Sequence, residues 1–156
     1  MESAQVLDIV ENLLNAAQHP DITEISRYGR DLKPGGQSPA GVKVTYQSGA
    51  QTYLAVAEGS QKPEPHPLPD PMPHLKLRAA HTMKFLINLL EAARPAAFIA
   101  WRTVAFAGVG NKPSGMEIRC ADGGSAYLRV TCASGPTGDP DADPFPGYRI
   151  PASLAS

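Results

Sequence analysis

The sequence predicts an α+β protein made by tandem duplication of an αβββ unit, the copies packed as a pseudo-two-fold with helices covering antiparallel sheets. Three observations predict it. Residues 115–134 (GMEIRCADGGSAYLRVTCAS) repeat residues 41–60 (GVKVTYQSGAQTYLAVAEGS) without a gap, 74 positions apart. Six of the 20 aligned positions are identical: Gly41/Gly115, Gly49/Gly123, Tyr53/Tyr127, Leu54/Leu128, Val56/Val130 and Ser60/Ser134. Each copy alternates apolar and polar residues around a glycine turn, the pattern of a half-buried β-hairpin. The helical stretches ahead of the hairpins echo each other too, as NLLNAA at 12–17 and NLLEAA at 88–93.

In chain order, residues 3–18 place Val6, Ile9, Val10, Leu13, Leu14 and Ala17 at helical spacing, with Ser3 as the expected N-cap and Pro20 just past the end. Residues 22–30 read as a strand, 32–40 as a loop, and the first hairpin follows. The register is chosen by which pairing gives a clean face, because a one-residue slip moves every side chain of a strand to the other side. Three-residue loops at Ser48-Gly49-Ala50 and Asp122-Gly123-Gly124 satisfy it, with glycine supplying a positive φ. They pair Gln47 with Gln51 and Ala121 with Ser125. Val42, Val44, Tyr46, Thr52, Leu54 and Val56 then point inward, as do Met116, Ile118, Cys120, Ala126, Leu128, Val130 and Cys132.

Between the copies, residues 61–74 (QKPEPHPLPDPMPH) carry proline at every second place. That spacing forbids helix and predicts a stiff, extended strut. It lacks the PxxP spacing of common proline-ligand motifs. A second helix is expected over 75–94, a strand apolar on both faces over 98–107, a loop over 108–114 and the second hairpin. The expected units are residues 1–60 and 75–134, joined by the strut and followed by an extended arm, 135–156. One unit of this size buries little core, so the copies are expected to pack together.

Net charge is −1 over 156 residues, so no overall field points to nucleic acid or membrane. The balance is uneven: residues 1–74 carry five Lys/Arg and nine Asp/Glu, and residues 75–135 carry eight and three. No apolar run is long enough to span a bilayer, and none follows a basic start as a secretory signal would. A cytoplasmic protein is expected, with Cys120 and Cys132 as small buried hydrophobes rather than a disulfide.

The chemical motifs fall short of their requirements. Asp139, Asp141 and Asp143 alternate like the first ligands of a calcium loop, but Pro144 and Ile150 stand where glycine and glutamate are needed. Residues 108–115 (GVGNKPSG) resemble a phosphate loop, but join two strands and place Lys112 before proline. His74 and His81 would share a helix face if the helix began at His74, yet no Cys or carboxylate joins them at zinc spacing. No metal, cofactor or catalytic residue is assigned.

Binding is assigned to the outward face of the second hairpin: Arg119, Tyr127 and Arg129, with Lys112 beside them and Tyr53 at the matching place in the first. An aromatic among arginines on a sheet face suits a protein partner, or the stacking and phosphate contacts of nucleic acid. Residues 135–156 are too poor in periodic apolar residues to fold alone. The segment is either disordered or an arm whose isolated apolar residues Phe145, Tyr148 and Ile150 make its contacts, on this chain or on a neighbour. The α-β-β-β-α order of residues 3–94 is similar to that of double-stranded-RNA-binding domains. The resemblance implies RNA binding from a lysine-rich start of the second helix, represented here by Lys76 and Arg78. The expected function is a non-catalytic interaction or assembly protein, with a protein partner or self-association and no membrane. The alternatives are a nucleic-acid-binding module and a small enzyme with its site between the repeats.

Overall fold

The computed structural model describes residues 2–29, 39–57, 63–67, 72–73, 77–106, 114–133 and 143–154. The chain is α+β: the described residues form two α-helices, a 3-10 turn (Ala152–Leu154) and a seven-stranded antiparallel sheet. Helix α1 is Ser3–Ala17, followed by β1 (Ile22–Tyr28), β2 (Gly41–Tyr46) and β3 (Gln51–Val56). Then come a two-residue strand β4 (Glu64–Pro65), helix α2 (Arg78–Ala93), β5 (Phe98–Ala105), β6 (Gly115–Cys120) and β7 (Ser125–Ala133). The sheet order is β1-β2-β3-β7-β6-β5-β4.

The alternation of apolar residues becomes one buried layer. Val42, Val44, Leu54, Met116, Ile118 and Leu128 of the sheet join Val6, Val10, Leu14, Leu86, Leu89 and Leu90 of the helices in a single core. Both helices therefore share one sheet face. Each stops on a left-handed residue, Gln18 (φ 50°) and Arg94 (φ 44°), which breaks the helical dihedrals and turns the chain into the next strand.

Several expectations need correction. The N-cap of α1 is Glu2, not Ser3: its backbone N–H donates to Gln5 Oε1 at 3.0 Å, the reciprocal half of a capping box. Helix α2 begins at Arg78, with exposed Leu77 as its cap residue, while His74 lies outside the described residues. The hairpins pair two residues away from the expected register: Thr45 faces Gln51 and Arg119 faces Ser125. The loops are still three residues long, but run over 47–49 and 121–123. Gly49 (φ 86°) and Gly123 (φ 94°) close them, because a three-residue loop takes its left-handed residue at the last position. Strand β5 is not apolar-buried on both faces: Ile99 is 63% exposed where the pairing with β6 is irregular between Phe98 and Ala100. Cys132 is exposed, whereas Cys120 is buried. Cys132 lies near the end of β7, opposite Thr52 of β3.

Part of the proline-rich segment joins the sheet. Glu64 and Pro65 pair with Ala105 and Val104, and the His66 N–H donates to Thr103 O at 3.0 Å. The sheet edge is where proline, lacking an N–H, can be accommodated.

One corner of the helix–sheet interface is polar. Tyr46 Oη lies 2.6 Å from Thr82 Oγ1, which lies 3.1 Å from Thr52 Oγ1. Beside them Arg78 pairs with Asp21 at 3.5 Å, both side chains buried, and its guanidinium sits 3.9 Å from the centre of the Tyr46 ring. Burial holds the Tyr46 phenol above its usual 10. Replacing Thr82 by valine keeps the shape but leaves the Tyr46 hydroxyl without this partner. Thr82→Val should lower stability by about 1–3 kcal/mol, read as a lower urea midpoint with an unchanged slope.

Candidate interaction surface

With both helices on one face, the opposite face of the sheet presents the alternate residues. One row crosses all seven strands: Tyr28, Gly41, Ala55, Arg129, Gly115, Val104 and Pro65. The row is low at Gly41, Ala55 and Gly115, and two aromatic rings fill the dips. A β-carbon on Gly41 would stand 2.6 Å from the Tyr28 ring, and one on Gly115 would strike the ring of Phe106. The absence of a side chain lets each ring lie across the strand.

The expected binding residues rest on these rings. Tyr53 meets Tyr28 edge to face, ring centres 5.6 Å apart, and its hydroxyl donates to Gln51 Oε1 at 2.5 Å. Burial, and then Tyr53, push the Tyr28 phenol up. The guanidinium of Arg129 lies 4.5 Å from the centre of the Phe106 ring, a cation–π distance. The structure thus brings Tyr53 and Arg129 onto one surface, on adjacent strands.

Tyr127 and Arg119 belong to the next rows, where Tyr127 faces Glu117, and Glu117 faces Arg102. Glu117 is 7% exposed, and Arg102 Nε donates to its Oε1 at 2.7 Å. A hydrogen bond to Glu117 holds the Tyr127 phenol above its ordinary value. Arg119 is exposed at the rim, where Ala100, Trp101, Arg102 and Glu117 help to form a cleft of about 200 Å³. Lys112 lies outside the described residues, as do Lys76 and most of the loop that resembles a phosphate loop.

Sequence reasoning placed Glu117 outward but missed its burial and its tie to Arg102. Alternation assigns a face, while burial on that face depends on what a neighbouring strand adds. Tyr28 and Phe106 carried a weak signal: each is an aromatic at a strand end in a chain whose hairpins open on glycine. Arg78, the basic residue on which the RNA-binding resemblance leans, is buried against Asp21 and does not reach this face.

The arm residues are on the opposite side of the molecule. Tyr148 and Ile150 pack against the core, and Tyr148 Oη donates to Ala17 O at 2.7 Å. That oxygen belongs to the last turn of α1, where carbonyls lack helical partners. Phe145 and Tyr148 close on His19, with ring centres at 6.1 and 4.3 Å. Between this arm and α2 lies a cleft of about 340 Å³ lined by His19, His81, Phe85 and Asn88, among others.

No family model, curated protein or solved structure matches the chain. Among the described residues, no three His, Cys, Asp or Glu side chains gather where they could hold a metal ion, and no helix is long and apolar enough to cross a membrane.

A β-carbon at Gly41 must displace Tyr28 from its seat. Gly41→Ala should cost about 1–3 kcal/mol as an overpacked site and shift the Tyr28 and Tyr53 ring resonances together. A variant with unshifted Tyr28 resonances would contradict the seat.

Proposed function

We propose that the chain is a non-catalytic docking protein on a duplicated αβββ frame, receiving a protein partner on the sheet face that the helices leave uncovered. The observation that carries it is the platform on that face: Tyr53 on Tyr28, and Arg129 on Phe106. Tyrosine and arginine are the residue types that dominate binding energy at protein interfaces. Here both are held by neighbouring rings before any partner arrives, so little side-chain freedom remains to be lost on binding.

Several features support the duplication. The order β1-β2-β3-β7-β6-β5 reads alike from both ends once each strand is exchanged for its counterpart. The central pairing sets Ala55 opposite Arg129, 74 residues on, with Leu54 facing Val130 and Val56 facing Leu128. The buried helix positions Val6, Leu7, Val10, Leu13, Leu14 and Ala17 recur 76 residues later as Thr82, Met83, Leu86, Leu89, Leu90 and Ala93. The left-handed ends Gln18 and Arg94 keep the same spacing. So do the irregular pairings at Ile22/Glu24 and Phe98/Ala100. On this reading the joined β3–β7 strands are the axis of a pseudo-two-fold.

A protein partner is favoured over nucleic acid by Glu117, a carboxylate held inside the patch beside Arg102. Paired with Arg102, it breaks the basic character of the face and suits the mixed charge of a protein rim. The test is capture by the full chain against capture by the Tyr53→Ala/Arg129→Ala double variant, after both show the same unfolding curve. A protein retained by the wild type and lost by the variant is the expected outcome. Retention by both would remove the platform from the reading. Salt-dependent retardation of RNA or DNA, abolished by Arg119→Glu with Arg129→Glu, would replace it with the nucleic-acid alternative.

A further inference from the structure

We propose that His19 is a pH-operated latch for the C-terminal arm: its neutral imidazole holds residues 145–154 on the helices, and its protonation releases them. This goes beyond partner docking and does not depend on it.

His19 follows the last turn of α1 and is the hub of the arm's seat. Its ring meets Phe85 of α2 at 5.3 Å, and Phe145 and Tyr148 of the arm at 6.1 and 4.3 Å. Phe85 and Tyr148 also touch each other, with centres 6.0 Å apart. The seat is therefore one aromatic cluster contributed by three segments, with the imidazole common to all of them. The polar side of the ring is committed as well, since the Asp21 backbone N–H donates to His19 Nδ1 at 3.1 Å. An acceptor Nδ1 requires the neutral ring. The proton that would make imidazolium must enter on Nδ1, where it meets an N–H donor already in place.

The charged groups around the ring act in both directions. Asp21 from the α1–β1 turn and Asp143 from the arm favour the cation, while Arg78 of α2 opposes it. His81 of α2 lines the same cleft, as does Arg149 of the arm, whose guanidinium adds positive charge there. Asp21 is already paired with Arg78, so its attraction is divided. Burial outweighs the two carboxylates and holds His19 below its ordinary 6.5. The sign follows. With the arm released, His19 returns toward its ordinary value, so protons bind the released state more tightly. The latch is complete above about 6.5 and is lost as pH falls through the lower value of the docked state.

Release would bare Phe85 and the carbonyl end of α1 on the body, and Phe145 and Tyr148 on the arm. These are the groups a second surface could then meet. The Tyr148 hydroxyl bond to Ala17 and the Ile150 packing do not titrate in this range, so they set the strength of docking and His19 sets its pH dependence.

The experiment is a pH titration of the full chain by NMR from about pH 8 to about pH 5. It follows the His19 imidazole together with the Tyr148 and Phe145 rings. The released-to-docked ratio should rise about tenfold per pH unit below 6.5 until the docked value is passed. His19→Gln offers a side-chain oxygen to the Asp21 N–H and does not titrate, so its arm should stay docked across the range. The latch is overturned by an arm that remains docked in the wild type at about pH 5, or by a His19→Gln arm released over the same range as the wild type. Should that variant lose the arm even at about pH 8, the wild-type imidazole decides: a His19 value above 6.5 sinks the proposal, and one below it, moving in step with Tyr148, sustains it.

Discussion

The pairing of β3 with β7 is the contact on which the rest of the molecule depends. It makes one seven-stranded sheet out of a three-stranded piece, β1-β2-β3, and a four-stranded one, β7-β6-β5-β4. A three-stranded antiparallel sheet with one helix covers little core. The joined sheet lets α1 and α2 pack side by side over a common apolar layer, with Leu54, Leu128 and Val130 from the joining strands beneath them. Two open edges that would otherwise invite foreign strands are consumed in the same step. At one outer edge, the segment with proline at every second place lays Glu64 and Pro65 against β5.

How much of this the sequence disclosed depends on what kind of constraint set each feature. Faces were legible, because a period of two sorts Val42, Val44 and Leu54 from Lys43 and Tyr53 whatever the partner strand. The hairpin register was not, for the same reason: a shift of two residues restores the same faces, so Thr45–Gln51 and Gln47–Gln51 pairings bury the same side chains. Only the dihedral requirement at the end of the loop separates them, which is why Gly49 and Gly123 sit last and not in the middle. Strand β4 was hidden behind a correct argument. Alternating proline does exclude helix, but an edge strand needs few donors, and Pro65 can lie where no N–H is called for.

The candidate surfaces were half legible. Tyr53, Arg119, Tyr127 and Arg129 were assigned outward from alternation alone, and the pairings set them on the face opposite the helices. What gives two of them a fixed posture is not local. Tyr28 reaches Tyr53 across β2, and Phe106 reaches Arg129 across β6, each over a glycine that the hairpin pattern marked only as a strand start. No sequence motif singles out His19. Its environment comes from Phe85, Phe145 and Tyr148, distant in sequence, and nothing in the neighbouring residues foretells that meeting.

On the proposed duplication, the chain must also solve a problem that a single unit does not face: its two helices resemble each other and could exchange places. The polar corner at Tyr46, Thr52, Thr82, Arg78 and Asp21 answers it. At the spacings of the repeat, the counterparts are Cys120, Ala126, Val6, Glu2 and Ala97, so only one of the two corners is polar. With the helices exchanged, Arg78 would be buried against Ala97 and Cys120 with no carboxylate to meet it, and Glu2 would be brought beside Asp21. An uncompensated buried charge costs about 3–5 kcal/mol, a large part of the total stability of a domain this size. The apolar corner shows that the same frame closes without buried charge, so stability alone does not require the Arg78–Asp21 pair. On the proposed duplication, the pair would act chiefly by discrimination, because an exchanged helix would strand the Arg78 guanidinium away from Asp21.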